Sequence, residues 1–444
     1  MLLSRWRRPS AVVPVLVVAA VLTALPSTSA QAAAPAPAAA WLEAQLSANS
    51  GLLPGPFGGS DVGLTEDAVL ALTATGNGED APTRAATAKI AASLDQFVTV
   101  GVPGIVLAGS VAKSALVADV QGADVTAFGG RDLEHDLRTN MTASGGQAGR
   151  FADQGNTPDS SNGFSQAFGL LALARTNGGV PADAVTFLLA QQCPSGGFRL
   201  FYDSGDACTD STQADTDATG LAVQALGAAP SSAAVTTAKG QAVAWLVSHQ
   251  DPMTGSLSSS GPAAQPNANS TGLGVAALRL GGETAAADQG AAYVAKLQLA
   301  CGQDTGAVAF DPAARAAAAG QGTIASSDLD QWRRATTQAV LALGVHGYGD
   351  MAAVPSGTTL TPTPPAVTPC SGATSPSSSH SSHPSHASHS GSDAPTVLGA
   401  RASADPALAA TGGFNLRLAL LGLAALLAGV LFTALATDRR ARHR

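Results

Sequence analysis

Gln191 to Leu226 reads QQCPSGGFRLFYDSGDACTDSTQADTDATGLAVQAL, and imperfect copies of this stretch recur on both sides of it. With the closing Ala-Leu of each copy aligned, the leucines fall at Leu72, Leu173, Leu226, Leu278 and Leu343, in steps of 101, 53, 52 and 65 residues. Single steps near fifty, with one double step that hides a degenerate copy, mark a repeat protein.

Each copy has two halves joined by a glycine loop. The first half places an aromatic residue five positions before a glutamine: Phe187 and Gln192, Trp245 and Gln250, Tyr293 and Gln298. Gly196-Gly197-Phe198, Gly255-Ser256-Leu257 and Gly306-Ala307-Val308 follow. The second half is an Ala-rich run with helical spacing, such as Leu221, Ala222, Ala225 and Leu226. Short Asp, Asn, Ser and Thr clusters precede these runs, as helix starts require. The unit therefore reads as helix, Gly-rich turn, helix, with pairs over 41–76, 84–119, 130–177, 181–228, 233–281 and 285–346. Six hairpins either stack as an open solenoid or close into a ring. The second helices are rich in Ala and Gly, which lets backbones approach closely, so they suit the crowded centre. The expectation is an all-α fold, a closed α6/α6 toroid over 33–352.

The glutamine, the glycine turn and the Thr-Gly-Leu helix start resemble the repeats of terpenoid cyclase and protein prenyltransferase toroids, and TDATGLAVQAL is also similar to the toroid repeats of cobalamin carriers. The resemblance covers about 41–346 and specifies fold far better than activity.

The two ends read as addresses. Arg5, Arg7 and Arg8, an apolar stretch from Ala11 to Leu25 and Ala30-Gln31-Ala32 form a secretory signal peptide, cut after Ala32 or after Ala30. At the other end Leu408-Ala409-Ala410-Thr411-Gly412 precedes the apolar stretch Leu418 to Ala436, expected to be a transmembrane helix, and then Arg439, Arg440, Arg442 and Arg444. That order resembles a sortase sorting signal, and LAxTG is similar to the form used by class E sortases of high-GC actinobacteria. The resemblance implies signal peptidase and sortase as processing partners, cleavage after Thr411, attachment to peptidoglycan and an extracellular domain. A permanent tail anchor is the alternative. The expected segments are 1–32 signal peptide, 33–352 toroid, 353–407 disordered Pro/Ser/Thr/His-rich spacer and 408–444 sorting signal.

The precursor's 23 Lys plus Arg and 31 Asp plus Glu become 15 and 30 once 1–30 and 412–444 are removed, a net charge of −15. Such a surface repels phosphate backbones, which argues against nucleic acid as a partner. Four cysteines in an exported chain imply two disulfides. Cys193 and Cys208 flank one glycine turn and are paired here, leaving Cys301 with Cys370. His380, His383, His386 and His389 lie in the spacer; in polyproline II geometry they stand about 9 Å apart, too far to share one metal ion, so no metal site is assigned.

Each catalytic precedent on such toroids needs residues that are incomplete here. The prenyltransferase zinc needs a reduced cysteine with Asp and His, whereas the cysteines are best explained as oxidised pairs. Neither His249 nor His346 has a thiol nearby in sequence. The D-x-D-D acid of terpene cyclases has its nearest counterpart in Asp215-Thr216-Asp217-Ala218, where Asp217 would be the general acid but Ala218 replaces the last aspartate. A GCGEQ-type thioester motif is absent. Asp217 also aligns with Asn269 of the next unit, which makes both readable as helix caps. No cofactor is implied, and an enzyme is the less favoured reading.

The central cavity of a ring is the default site. Candidates at its mouth are Glu66, Asp67, Ser165, Gln166, Asp215, Asp217, Asn269, Arg333 and Arg334. The favoured function is a wall-displayed binding module for an apolar or corrinoid ligand. The alternatives are a secreted cyclase, lyase or hydrolase, and a structural or adhesive surface protein with a filled centre.

Overall fold

The computed structural model describes residues 35–202, 206–260, 264–362 and 369–370. The signal peptide, most of the spacer and the whole sorting signal lie outside them. Among the described residues no helix is long and apolar enough to cross a membrane.

The regular structure of the described residues is almost wholly helical, and the helices come in pairs. In order they are Pro35–Ala48 (α1) with Val62–Ala74 (α2), Ala81–Thr99 (α3) with Ala108–Val120 (α4), Leu133–Thr139 (α5) with Gly163–Leu173 (α6), and Ala182–Ala190 (α7). A two-stranded antiparallel ladder, Phe198–Arg199 (β1) with Ala214–Asp215 (β2), closes the loop that leads from α7 to Thr216–Ala228 (α8). Ala233–His249 (α9) pairs with Ala268–Leu280 (α10), and Thr284–Leu297 (α11) with Leu329–Ala339 (α13), a short extra helix Pro312–Ala319 (α12) lying between the last two. Each expected hairpin is thus one observed pair.

Capping differs from the sequence reading by two residues. The caps of α8 and α10 are Asp215, which accepts the Ala218 N–H, and Asn267, which accepts the Ser270 N–H. Asp217 and Asn269 lie inside the first turn instead. Two acids stand at the start of α8, and the one with extended backbone, Asp215 at φ −124 and ψ 138, is the one that can fold its carboxylate back onto the turn.

A second device recurs one turn further on. Thr219 Oγ1 accepts the Phe198 N–H at 2.8 Å and donates to the Asp215 carbonyl at 2.5 Å. Thr65, Thr271 and Thr336 accept the N–H groups of Leu53, Leu257 and Val308 in the same way. A hydroxyl both donates and accepts, so one side chain ties the turn to the helix it enters. In two repeats the glutamine fastens the same turn to the next unit. Gln250 Nε2 donates to the carbonyls of Gly255 and of Ala286 in α11, both at 2.8 Å, and Gln192 does so to Gly196 and to Ala238 in α9. Gly255 at φ +77 and Gly306 at φ +96 need glycine twice over. A Cβ there would collide with backbone of Gln289 in α11 and of Pro37 in α1. Gln250→Ala should therefore cost about 2 kcal/mol in urea unfolding, for two lost amide bonds in a partly buried turn. Gln303→Ala, on an exposed residue, should cost nothing measurable.

The first helices are amphipathic and bury one face, as α3 does with Ile90, Leu94 and Val98. The second helices are buried nearly all round: α2 from Gly63 to Ala74, α6 throughout, α8 from Thr216 to Leu226, α10 from Ala268 to Leu278. They pack in sequence, α2 on α4, α4 on α6, α6 on α8, α8 on α10 and α10 on α13, and α13 also packs on α2. Small residues set these approaches; Gly272 leaves no room for a Cβ against the Gln338 carbonyl of α13.

Both disulfides form as paired from sequence, Cys193 with Cys208 and Cys301 with Cys370. Two disulfides are consistent with a secreted chain, since such bonds persist in oxidising compartments. The start of the expected spacer, however, is a strap that packs on the helices. Val354 N–H donates to the Val120 carbonyl at 2.9 Å, Arg84 donates to the carbonyls of Pro355 and Thr358, and Leu360 pairs with Asp80. Carbonyls at a helix C-terminus have no partner within the helix, so a Pro/Thr-rich strand can bind there through backbone bonds without supplying apolar side chains.

Candidate functional site

The second helices bring a charged network into the core where apolar packing would be expected. Asp67, in the second turn of α2, pairs with Lys113 of α4 at 2.8 Å, and both side chains are almost fully buried. Lys113 Nζ also donates to the Gly63 carbonyl at 3.2 Å and stands 5.7 Å over the ring of Phe168 in α6. Phe168 in turn tilts against Tyr348, in the segment between α13 and the strap, ring centroids 5.6 Å apart. The Tyr348 N–H donates to Gln224 Oε1 of α8 at 2.8 Å. One chain of contacts therefore runs from α2 through α4 and α6 to a side chain of that segment, itself held by α8.

Glu66 sits beside this pair, and Ser114 Oγ donates to its Oε1 at 2.5 Å. Its other oxygen, Oε2, has no hydrogen-bond partner. Burial is the chief reason its carboxyl is pushed up to about 8, against the pull of Lys113 and Ser114. Burial also raises Asp67, opposed by Lys113 and more weakly by Arg334. Arg334 of α13 binds Asp61, the cap of α2, at 2.6 Å and Asp330 at 3.0 Å. Burial alone would lower its pKa; the two carboxylates hold it up.

Of the residues expected at a cavity mouth, Glu66, Asp67, Arg334 and Asn269 come together. Asn269 Nδ2 donates to the Arg334 carbonyl at 3.0 Å and to Gln338 Oε1 at 2.9 Å, while its Oδ1 is buried without a partner. The others serve elsewhere. Gln166 occupies the position of the turn-binding threonines: its Oε1 accepts the Phe151 N–H, and its Nε2 donates to the carbonyls of Gly149 and Ala184. Ser165 completes a capping box with Asn162. Asp215 is a cap, and Arg333 reaches back to Gln45 of α1 at 2.9 Å. Asp217 is 8 % exposed and held by contacts of its own.

Lys113, Ser114, Tyr348, Asp61 and Asp330 were not singled out from sequence. Lys113 could have been, as the one basic residue in the apolar run AGSVAKSALVADV of α4. Tyr348 could not, because its partner Gln224 lies 124 residues away.

An open cavity would leave a wet stripe along each surrounding helix. The burial of the second helices shows side chains packed along them instead. Their polar groups hold one another in place, and Asp217 faces protein. Asp206-Ala207-Cys208 is an Asp-x-Cys string, the order a zinc site of the prenyltransferase kind would use. Cys208 is spent in its disulfide, which leaves no thiolate to hold a metal. Among the described residues no three His, Cys, Asp or Glu side chains are grouped to bind a metal ion. Compared with models of known protein families and with curated proteins, the sequence matches none.

Proposed function

We propose that this chain is an exported surface protein whose helices close into an α6/α6 toroid of the terpenoid cyclase and prenyltransferase kind, and that the toroid is a rigid recognition head rather than a catalyst. Closure is supported by α13 packing on α2 and by Gly306 seating against α1 as Gly255 seats against α11. The observation that carries the function is the burial of the second helices on every side, because a filled centre offers no room for a substrate. Recognition then belongs to the outer surface. The signal peptide, the LAATG motif and the Arg-rich tail support export and attachment to peptidoglycan by a class E-type sortase, with the Pro/Ser/Thr-rich residues beyond the strap as spacer. Digestion of cell walls with a muramidase should release the chain bound to peptidoglycan fragments, and deleting Leu408–Gly412 should leave it in the membrane fraction, held by Leu418–Ala436, and out of that digest. A chain found inside the cell would end this reading.

A second reading, a small ligand at the ends of the second helices, is favoured by two of the buried oxygens without partners, Glu66 Oε2 and Asn269 Oδ1. Calorimetric titration of the purified full-length chain with cobalamin and with an isoprenoid diphosphate separates the two. Flat traces with both fit the filled centre; saturable heat lost on Asn269→Ala would replace it with a pocket.

A further inference from the structure

The loops that lead from each first helix into its second helix touch one another in succession. Val106 pairs with Gln154, the Gly163 N–H donates to the Leu200 carbonyl at 2.7 Å, and Thr216 N–H donates to Ser260 Oγ at 3.2 Å. Ala268 N–H donates to the Phe310 carbonyl at 2.8 Å, and Arg334 binds Asp61. These loops are one continuous surface.

Exposed apolar side chains stand on several of these loops. Phe57 is 80 % exposed, Phe201 60 %, Met253 94 % and Val102 46 %, and all four stand on these loops. Of the other exposed large apolar residues among the described ones, Val247 is near the end of α9, beside the same surface. Leu280 and Leu360 belong to the opposite ends of the helices, the latter on the strap. That opposite end is covered by the chain itself, through Tyr348, Val354 and Leu360. Among the described residues Phe57, Phe201 and Met253 stay exposed on the loop surface, although Cys370, beyond the strap, is tied to Cys301 of its last loop.

Its charge is equally one-sided. Over the loops 49–61, 100–107, 140–162, 191–215, 250–267 and 298–328 there are eleven Asp, three Arg and no Lys. Arg150 and Asp159 cancel each other and Asp61 is paired with Arg334, which leaves nine Asp against Arg315 and the 1 % exposed Arg199. The carboxylate next to Met253 is fixed as a charge. Asp251 accepts the N–H groups of Met253 and Thr254, and those bonds, Thr254 first, hold its pKa below the ordinary carboxylate value. An acidic rim repels anionic lipid headgroups as it does nucleic acid. What complements apolar tips set among carboxylates is a surface that brings Lys or Arg together with apolar side chains.

We infer that this loop surface is a docking face for a cationic polypeptide segment whose apolar side chains cover Phe57, Phe201 and Met253. The inference rests on the reading of the toroid as a recognition head and supplies its partner chemistry.

The probes are two synthetic peptides of equal length, one alternating Lys and Leu and one alternating Glu and Leu, titrated into the full-length chain. The Lys/Leu peptide should bind and the Glu/Leu peptide should not. The triple variant Phe57→Ser, Phe201→Ser, Met253→Ser changes only exposed side chains; it should melt with the parent and bind the Lys/Leu peptide at least about tenfold more weakly. Equal binding by parent and triple variant, binding of both peptides alike, or no binding of the Lys/Leu peptide would each overturn the docking face. A wall-attached chain with any of those results overturns this inference alone, whereas a chain retained inside the cell overturns the reading beneath it.

Discussion

Lys113→Met should destabilise the protein by about 3–5 kcal/mol, the cost of leaving a buried carboxylate without its counterion. Asp67 is 3 % exposed and Lys113 1 %, so water cannot replace the lost partner. The methionine fills most of the lysine's volume, which isolates the charge effect from a cavity effect. Removing both charges, in Asp67→Leu with Lys113→Met, should restore most of the loss, because two apolar side chains of similar size need no pairing. Urea unfolding at constant m-value reads both changes. A single variant that costs less than about 1 kcal/mol would mean that water reaches the pair, and with it the argument for a filled centre would fall. Arg334, close enough to Asp67 to lower its pKa, is the remaining cation, and the double variant removes its electrostatic reason to lie near α2's second turn. Its bonds to Asp61 and Asp330 remain, so α13 should keep its place beside α2.

The helix pairs and both disulfides were legible because local patterns encode them: an aromatic and a glutamine at fixed spacing, a positive-φ glycine, a cap residue, two cysteines astride a turn. The site was legible only where a charge interrupted an apolar helix near its start, as at Glu66 and Asp67. A buried glutamine at a helix start looks like a ligand group, and Gln166 in the fold binds turn backbone. Aligned with Thr219 one repeat later, it holds the same turn nitrogen, and repeat position says more about its role than residue type does. The two acids of Asp215-Thr216-Asp217 have equal capping chemistry, and backbone conformation chooses between them. Lys113 and Asp67 are 46 residues apart, and nothing local announces that α2 and α4 will lie side by side at that level. Tyr348, whose ring packs on Phe168 and whose N–H is held by Gln224 124 residues away, lies beyond the reach of local pattern for the same reason.

Glu66→Gln should leave stability unchanged in acid and raise it in alkali. In the unfolded chain Glu66 loses its proton near the ordinary glutamate value of 4.5, whereas in the fold burial keeps it protonated up to about 8. Below 4.5 both states carry the proton, and the full contribution of the neutral buried carboxyl is present. Between the two values only the unfolded state ionises, so it gains free energy with each step up in pH and the fold loses stability relative to it. Above 8 both are ionised and the loss is complete. Glutamine, which keeps the shape and cannot ionise, is free of that loss. Its advantage over the parent should grow from nothing at about pH 4 to the order of 3–5 kcal/mol at about pH 9, since every tenfold difference in proton affinity between fold and unfolded chain is worth about 1.4 kcal/mol. Glu43, also raised to about 8 by burial and by its neighbour Asp80, adds to the same fall in the parent and cancels in the comparison. Urea midpoints of parent and variant across this range supply the measurement. A constant difference at all pH values would mean that Glu66 is ionised in the fold at neutral pH. The free oxygen of Glu66 would then be a charge seeking a cation, and the ligand reading at the helix ends would replace the packed one.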